Sequence, residues 1–271
     1  MRLTLQSAFF CVGVALMHTF AFAHAPTTVE LGDLTWTELR DEIAAGKTTI
    51  IVPIGGTEQS GPYVALGKHN VRVRFLAARI AQGLGDALVA PVIAYVPEGS
   101  YAPPSSHMRF PGTITVPDDV FEKTLESAAN SFAVHGFKNI VFLGDHGGYQ
   151  NDIKQAVAYL NRTWAGSKAR AFVPPEYYEA SSDGYARMLR EKGYRDNEIG
   201  THAGLADTSL LLAVAPSMVR LDALRRAPKL GAADGIYGGD PRRSSAELGQ
   251  IGIDAIVART IDAIRKDTAG R

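Results

Sequence analysis

The apolar run Ile50-Ile51-Val52-Pro53-Ile54 breaks into Gly55-Gly56, and this junction limits the possible folds more than any other segment. A short apolar run bounded by turn residues reads as a buried strand. The glycines and Pro62 then force an irregular loop that carries Glu58 and, eleven residues on, His69. Past the loop the period changes, with Val71, Phe75, Ala78, Ile80 and Leu84 at helical spacing. The alternation recurs along the chain. It predicts helices over 34–45, 71–84, 117–135, 150–164, 208–214 and 244–265, and strands over 48–54, 88–95, 139–143 and 169–173. Strand–helix alternation with connections of this length builds a parallel or mixed sheet covered on both faces. In such sheets the loops at the carboxyl ends of the strands build the site.

The N-terminus reads as a targeting segment. Arg2 precedes an apolar stretch from Ala8 to Met17, and Ala21-Phe22-Ala23 or Ala23-His24-Ala25 fits a small-x-small cleavage site. The expectation is a signal peptide over 1–23, cut after Ala23 or Ala25, with residues 26–271 forming one domain of an exported, periplasmic or secreted protein. The one cysteine, Cys11, lies inside that segment. The mature chain then has no disulfide, no thiolate metal ligand and no cysteine nucleophile. Lys plus Arg and Asp plus Glu both number 28, and no basic run occurs, which argues against a nucleic-acid partner. No later apolar run is long enough to span a bilayer. Residues 174–200 are aromatic and charged, and read as a lid or an oligomer contact.

Of the seven histidines, His18 and His24 belong to the targeting segment. The others are His69, His107, His135, His146 and His202. Imidazole and carboxylate form the ligand set of zinc, manganese or iron at a hydrolytic site. Glu58 and His69 read either as two metal ligands on one loop or as a helix-terminal carboxylate with a surface histidine. Asp145 and His146 follow a buried strand and precede Gly147-Gly148, where glycine allows close backbone approach to a ligand. They read as ligands or as a strand-end turn with a capping aspartate. Asp207 reads as a metal ligand or as the N-cap of the helix that follows. His202 is a candidate for acid–base work. Arg109, near His107, offers a bidentate clamp for a carboxylate. His135 reads as a helix C-terminal residue. There is no Gly-x-Ser-x-Gly elbow and no Walker loop.

Five ordered motifs resemble the creatininase (creatinine amidohydrolase) family over almost the whole mature chain. They are Gly55-Gly56-Thr57-Glu58-Gln59-Ser60-Gly61-Pro62 with Leu66-Gly67-Lys68-His69; Phe110-Pro111-Gly112-Thr113; Gly144-Asp145-His146-Gly147-Gly148-Tyr149; His202-Ala203-Gly204-Leu205-Ala206-Asp207-Thr208-Ser209; and Gly239-Asp240-Pro241 with Ala246-Glu247-Leu248-Gly249. The resemblance implies a three-layer α/β/α sandwich and a homo-oligomer, typically a hexamer. It implies divalent metal at the carboxyl ends of the strands, most simply zinc, with manganese or iron as alternatives, as one or two ions. It also implies hydrolysis of an amide carbon–nitrogen bond by metal-bound water.

Carried over residue by residue, the metal ligands are Glu58, His69, His146 and Asp207, with Asp145 as a possible substitute. His202 is catalytic, and Arg109, Tyr149 and Ser60 face a small-molecule substrate. Ser60 stands where the family has a histidine ligand. His69 stands where the family has an aspartate bridging two ions, and an imidazole gives one nitrogen to one ion. Asp207 replaces a glutamate, and Asp145 a glycine. The expected activity is hydrolysis of a non-peptide, cyclic amide. Hydrolysis of a cyclic sugar or lactone, and a non-catalytic role in binding a small ligand, are the alternatives.

Overall fold

The computed structural model describes residues 27–269, so the expected signal peptide lies outside the described residues. Four parallel strands, β1 (Thr49–Ile54), β2 (Ala87–Val89), β3 (Asn139–Gly144) and β4 (Arg170–Phe172), lie side by side in the order β2-β1-β3-β4. Central β1 is buried at all six positions. It pairs Ile51 with Val89 on one side, and Val52 with Phe142 and Ile54 with Gly144 on the other. A strand's side chains alternate between faces, and the core divides accordingly. Ile51, Val89, Val141 and Leu143 join one apolar cluster, and Ile50, Val52, Ile54, Leu88, Ile140 and Phe142 join the other.

Helices complete the layers. The second cluster is closed by α1 (Trp36–Ala44), α3 (Asp118–Val134) and α4 (Gln150–Thr163). The first is closed by α2 (Lys68–Leu84), α5 (Pro175–Glu179), α6 (Tyr185–Glu191), α8 (Leu205–Val214) and α10 (Ala246–Thr268). The short α7 (Asp196–Ile199) and α9 (Leu221–Arg226) complete the set. A small antiparallel pair, β5 (Gly200–His202) with β6 (Tyr237–Gly239), aligns His202 with Tyr237. The result is a three-layer α/β/α sandwich. Its four-stranded sheet is wholly parallel.

Two differences from the sequence reading bear on function. The strand expected over 88–95 ends at Val89. Pro91 supplies no backbone donor, and beyond Val89 contact with β1 is reduced to the Ala90 N–H on Ile51 and an isolated bridge at Ile93. Helix α2 starts at Lys68 rather than Val71. Its buried stripe is Lys68, His69, Arg72, Val73, Leu76, Ala77, Ile80 and Ala81, while Val71 is exposed. The stripe keeps helical spacing throughout, but its first turns are polar because they face the site. His69 therefore lies on a helix and not on the loop.

Candidate functional site

The chain steps from β1 to β2 on one side and returns to β3 on the other. The carboxyl ends of β1 and β3 are thus the sheet's switch point, where α/β proteins bind ligands. Two loops meet there. Tyr149 locks them together: its hydroxyl accepts from the His146 N–H (3.0 Å) and donates to the Gly55 carbonyl (2.6 Å). Gly56, at φ +146°, has no alternative residue type in practice. A Cβ there would also lie 2.7 Å from Glu98 Oε1.

Glu58 is fully buried at the centre. On one side lies a chain of ion pairs. Glu58 Oε1 is 2.7 Å from His69 Nε2 and 3.3 Å from Lys68 Nζ. The other ring nitrogen of His69 is 2.7 Å from Asp145 Oδ2, which also accepts from Arg72 Nε at 2.8 Å. Tyr177 donates to Asp145 Oδ1 at 2.8 Å. Asp207 accepts from Arg72 at Oδ1 (2.6 Å), and from Lys68 and the Ala203 N–H (3.0 Å) at Oδ2.

On the other side of Glu58 the carboxylates lack partners. Glu58 Oε2 and both oxygens of Glu98 are buried with no hydrogen bond among the described residues. Glu58, Glu98, His107 and His146 each offer one ligand atom, all within 4.8 Å of one another. His107 Nδ1 is 3.2 Å and His146 Nε2 3.6 Å from Glu58 Oε2. Gln59 arranges the imidazoles. Its Oε1 accepts from the Gly61 N–H, so its amide N–H groups face His107 Nδ1 (3.0 Å) and His202 Nε2 (3.1 Å). His202 Nε2 also lies 3.0 Å from the Gln59 backbone carbonyl, and its Nδ1 lies 3.6 Å from Glu58 Oε1.

The charges divide the same way. Burial opposes ionisation of Glu58 and Asp207, but Lys68 together with His69, and at Asp207 also Arg72, outweighs it and holds both carboxyls well below their usual range. Burial likewise opposes Asp145, yet Arg72 and His69 hold it low. Burial and Lys68 work against a charged His69, and its bonds to Asp145 and Glu58 prevail and raise it. At Glu98 burial and then Glu58 outweigh the pull of Lys68 and push it up to about 9. Burial pushes His146 down to about 4 and His202 to about 3, and lowers His107, leaving three neutral imidazoles at pH 7.

These groups open on a cavity of about 490 Å³ lined by Lys68, His69, Arg72, His107, His146 and His202, among others. Residues 174–200 supply part of its wall through Tyr178, Ser181, Ser182 and Arg190. Of the residues singled out in the sequence, His69, Asp145, His146, His202 and Asp207 line this cavity, and Glu58 is buried behind them, in contact with His69 but not in the lining. The remaining three do not line the cavity. Arg109 is exposed and bonded to the Ser106 carbonyl (3.1 Å). Tyr149 is fully buried, its hydroxyl engaged by backbone. Ser60 is buried with an unpartnered hydroxyl. The sequence alone does not single out Lys68, Arg72, Gln59 and Glu98, and it brings in His107 only as a neighbour of Arg109.

Residues 32–264 match the family model described as Creatininase, creatinine amidohydrolase. The chain belongs to the creatininase family. Members of this family are metal-dependent amidohydrolases, and the chain is an enzyme of that class. It is 26% identical over 258 residues to creatinine amidohydrolase of Pseudomonas putida, covering 89% of this chain and 97% of that one. It is 30% identical over 180 residues to the mycofactocin precursor peptide peptidase of Mycolicibacterium smegmatis (65% of this chain, 61% of that one). Among solved structures, one described as Creatininase Mn superposes with TM-score 0.74 and 26% identity, covering 89% of this chain and 99% of that chain. The creatininase sandwich observed here is thus the family's own.

The residues present fit a divalent ion. Three buried carboxylate oxygens without hydrogen donors face two neutral imidazoles, a donor set that suits zinc, manganese or iron. A dication would also offset the burial and the Glu58 charge that raise Glu98.

Proposed function

We propose that this creatininase-family chain hydrolyses the amide bond of a small, polar, cyclic molecule, and that Glu58, Glu98, His107 and His146 hold its divalent ion. The observation that carries this reading is the cluster of four ligand atoms around the orphaned oxygens of Glu58 and Glu98. An ion bound there supplies Lewis-acid polarisation of the amide carbonyl and acidifies a water molecule.

The chain's own residues do the rest. Glu58 stays ionised and fixes the charge at the centre. His202 is neutral at physiological pH, so it works beside the substrate as a neutral hydrogen-bonding imidazole rather than as an imidazolium acid. Gln59 holds the His202 ring in place through its side-chain amide and its backbone carbonyl. A cavity of about 490 Å³ lies in the range of small-molecule pockets and supports a compact substrate over a long peptide.

A second reading draws on the hydroxyls of Ser181, Ser182 and Thr201 along the cavity. It is also motivated by a 29% match over 123 residues to the 3-dehydro-scyllo-inosose hydrolase of Thermotoga maritima. Here the substrate is a cyclic polyol-type ketone or lactone. Export by cleavage after Ala23 or Ala25 and assembly into a homo-oligomer complete the proposal, and zinc is its preferred ion.

The test is a screen of cyclic amides, lactones and inososes with zinc- or manganese-loaded protein beside Glu98→Gln. Amide turnover lost in the variant supports the first reading. Turnover of the oxygen substrates alone supports the second. Metal-independent turnover, or none in either class, contradicts both.

A further inference from the structure

The ion pairs behind Glu58 carry a further conclusion, which rests on the metal-hydrolase reading above. Every carboxylate oxygen of Asp145 and Asp207 already has a hydrogen-bond donor. Tyr177 serves Asp145 Oδ1, and His69 with Arg72 serves Asp145 Oδ2. Arg72 serves Asp207 Oδ1, and Lys68 with the Ala203 N–H serves Asp207 Oδ2. Both ring nitrogens of His69 face carboxylates. On this side an ion finds every carboxylate oxygen already holding a donor, and two fixed cations. All the orphaned site carboxylate oxygens, Glu58 Oε2 and those of Glu98, lie on the other side.

Lys68 and Arg72 come from successive turns of α2, and both are nearly fully buried. Together they bring two positive charges to the carboxylates that a second dication would otherwise bind. We infer that Lys68 and Arg72 take the place of a second metal ion. The site then holds one ion, on Glu58, Glu98, His107 and His146. The positive charge behind Glu58 belongs to the protein, does not exchange and survives chelation. His69 is a bridge between Glu58 and Asp145, and Asp207 is an anchor for Lys68 and Arg72; neither is a ligand.

Metal binding itself tests this without any assay of turnover. Chelated protein is titrated with Mn(II), the bound manganese per chain is counted after desalting, and its paramagnetic resonance spectrum is recorded. The expected result is one Mn per chain with the spectrum of an isolated ion. Glu98→Gln should weaken binding more than the roughly 10- to 100-fold seen when a residue outside the ligand set is lost. Asp207→Asn should keep one Mn. Should that variant fold poorly by circular dichroism, Lys68→Met with Asp207→Asn removes one charge of each sign and should also keep one Mn. Two Mn per chain with a coupled spectrum, or loss of the ion in either Asp207 variant, overturns the inference and leaves the hydrolase reading standing. No Mn in the unmutated protein overturns both.

Discussion

Glu98 links the site to a quantity measurable without substrate. Its carboxyl is buried beside Glu58 and is pushed, by burial first and then by Glu58, from an ordinary 4.5 up to about 9. Between those values the folded, metal-free protein keeps a proton that the unfolded chain releases. Stability must therefore fall as pH rises across that window, by about 1.4 kcal/mol per pH unit. Between pH 7 and 8.5 the loss is about 2 kcal/mol. Glu98→Gln keeps the shape and removes the titration. His69, also raised, pulls in the same direction in both proteins and cancels in the difference. His107, His146 and His202, all lowered, act below their ordinary 6.5 and so outside the pH 7 to 8.5 comparison. Urea unfolding of both proteins in chelator at the two pH values gives the comparison. The unmutated chain should lose about 2 kcal/mol more than the variant. Equal losses would refute the reasoning. An ion must displace the same proton, so apparent metal affinity should rise about tenfold per pH unit over this range.

Other outcomes follow from neighbouring contacts. Tyr177→Phe deprives Asp145 Oδ1 of its donor, and should cost about 1–3 kcal/mol in urea unfolding while metal content stays unchanged. Arg72→Met leaves Asp145 and Asp207 buried without their guanidinium, and should cost about 3–5 kcal/mol. Those two carboxyls are held low in the folded state, so their contribution is present above about pH 4 and lost as pH falls further; an acid titration of stability should show a smaller acid loss in that variant. His202→Asn should lower turnover by about 100- to 1,000-fold with metal content intact, as measured by steady-state kinetics and elemental analysis.

The layered fold was readable because strand and helix periods alternate cleanly, and β1 with its Gly-rich loop marks the switch point. The position of α2 was less so. Counting apolar residues alone begins it at Val71, yet its buried stripe opens with Lys68, His69 and Arg72. Once the start is known, those cations fall on the face that carries Val73 and Leu76. Asp207 could be read locally as a cap or a ligand, but its partners Lys68 and Arg72 lie more than 130 residues away. Glu98 had no local signal. It sits in Val96-Pro97-Glu98-Gly99 beyond a strand that ends early, and only the fold sets it against Gly56 and Glu58. Tyr149 misled in the opposite direction. Beside Gly147-Gly148 it reads as a ligand contact, whereas its ring packs against Phe121 and its hydroxyl ties two loops together.

The most direct measurement is a crystal structure of manganese-loaded protein with anomalous scattering recorded at the metal edge. The account expects one strong peak among Glu58, Glu98, His107 and His146, with Lys68 and Arg72 still paired to Asp207. A peak ligated by His69 or Asp207, or no peak in crystals shown to contain manganese, would contradict it.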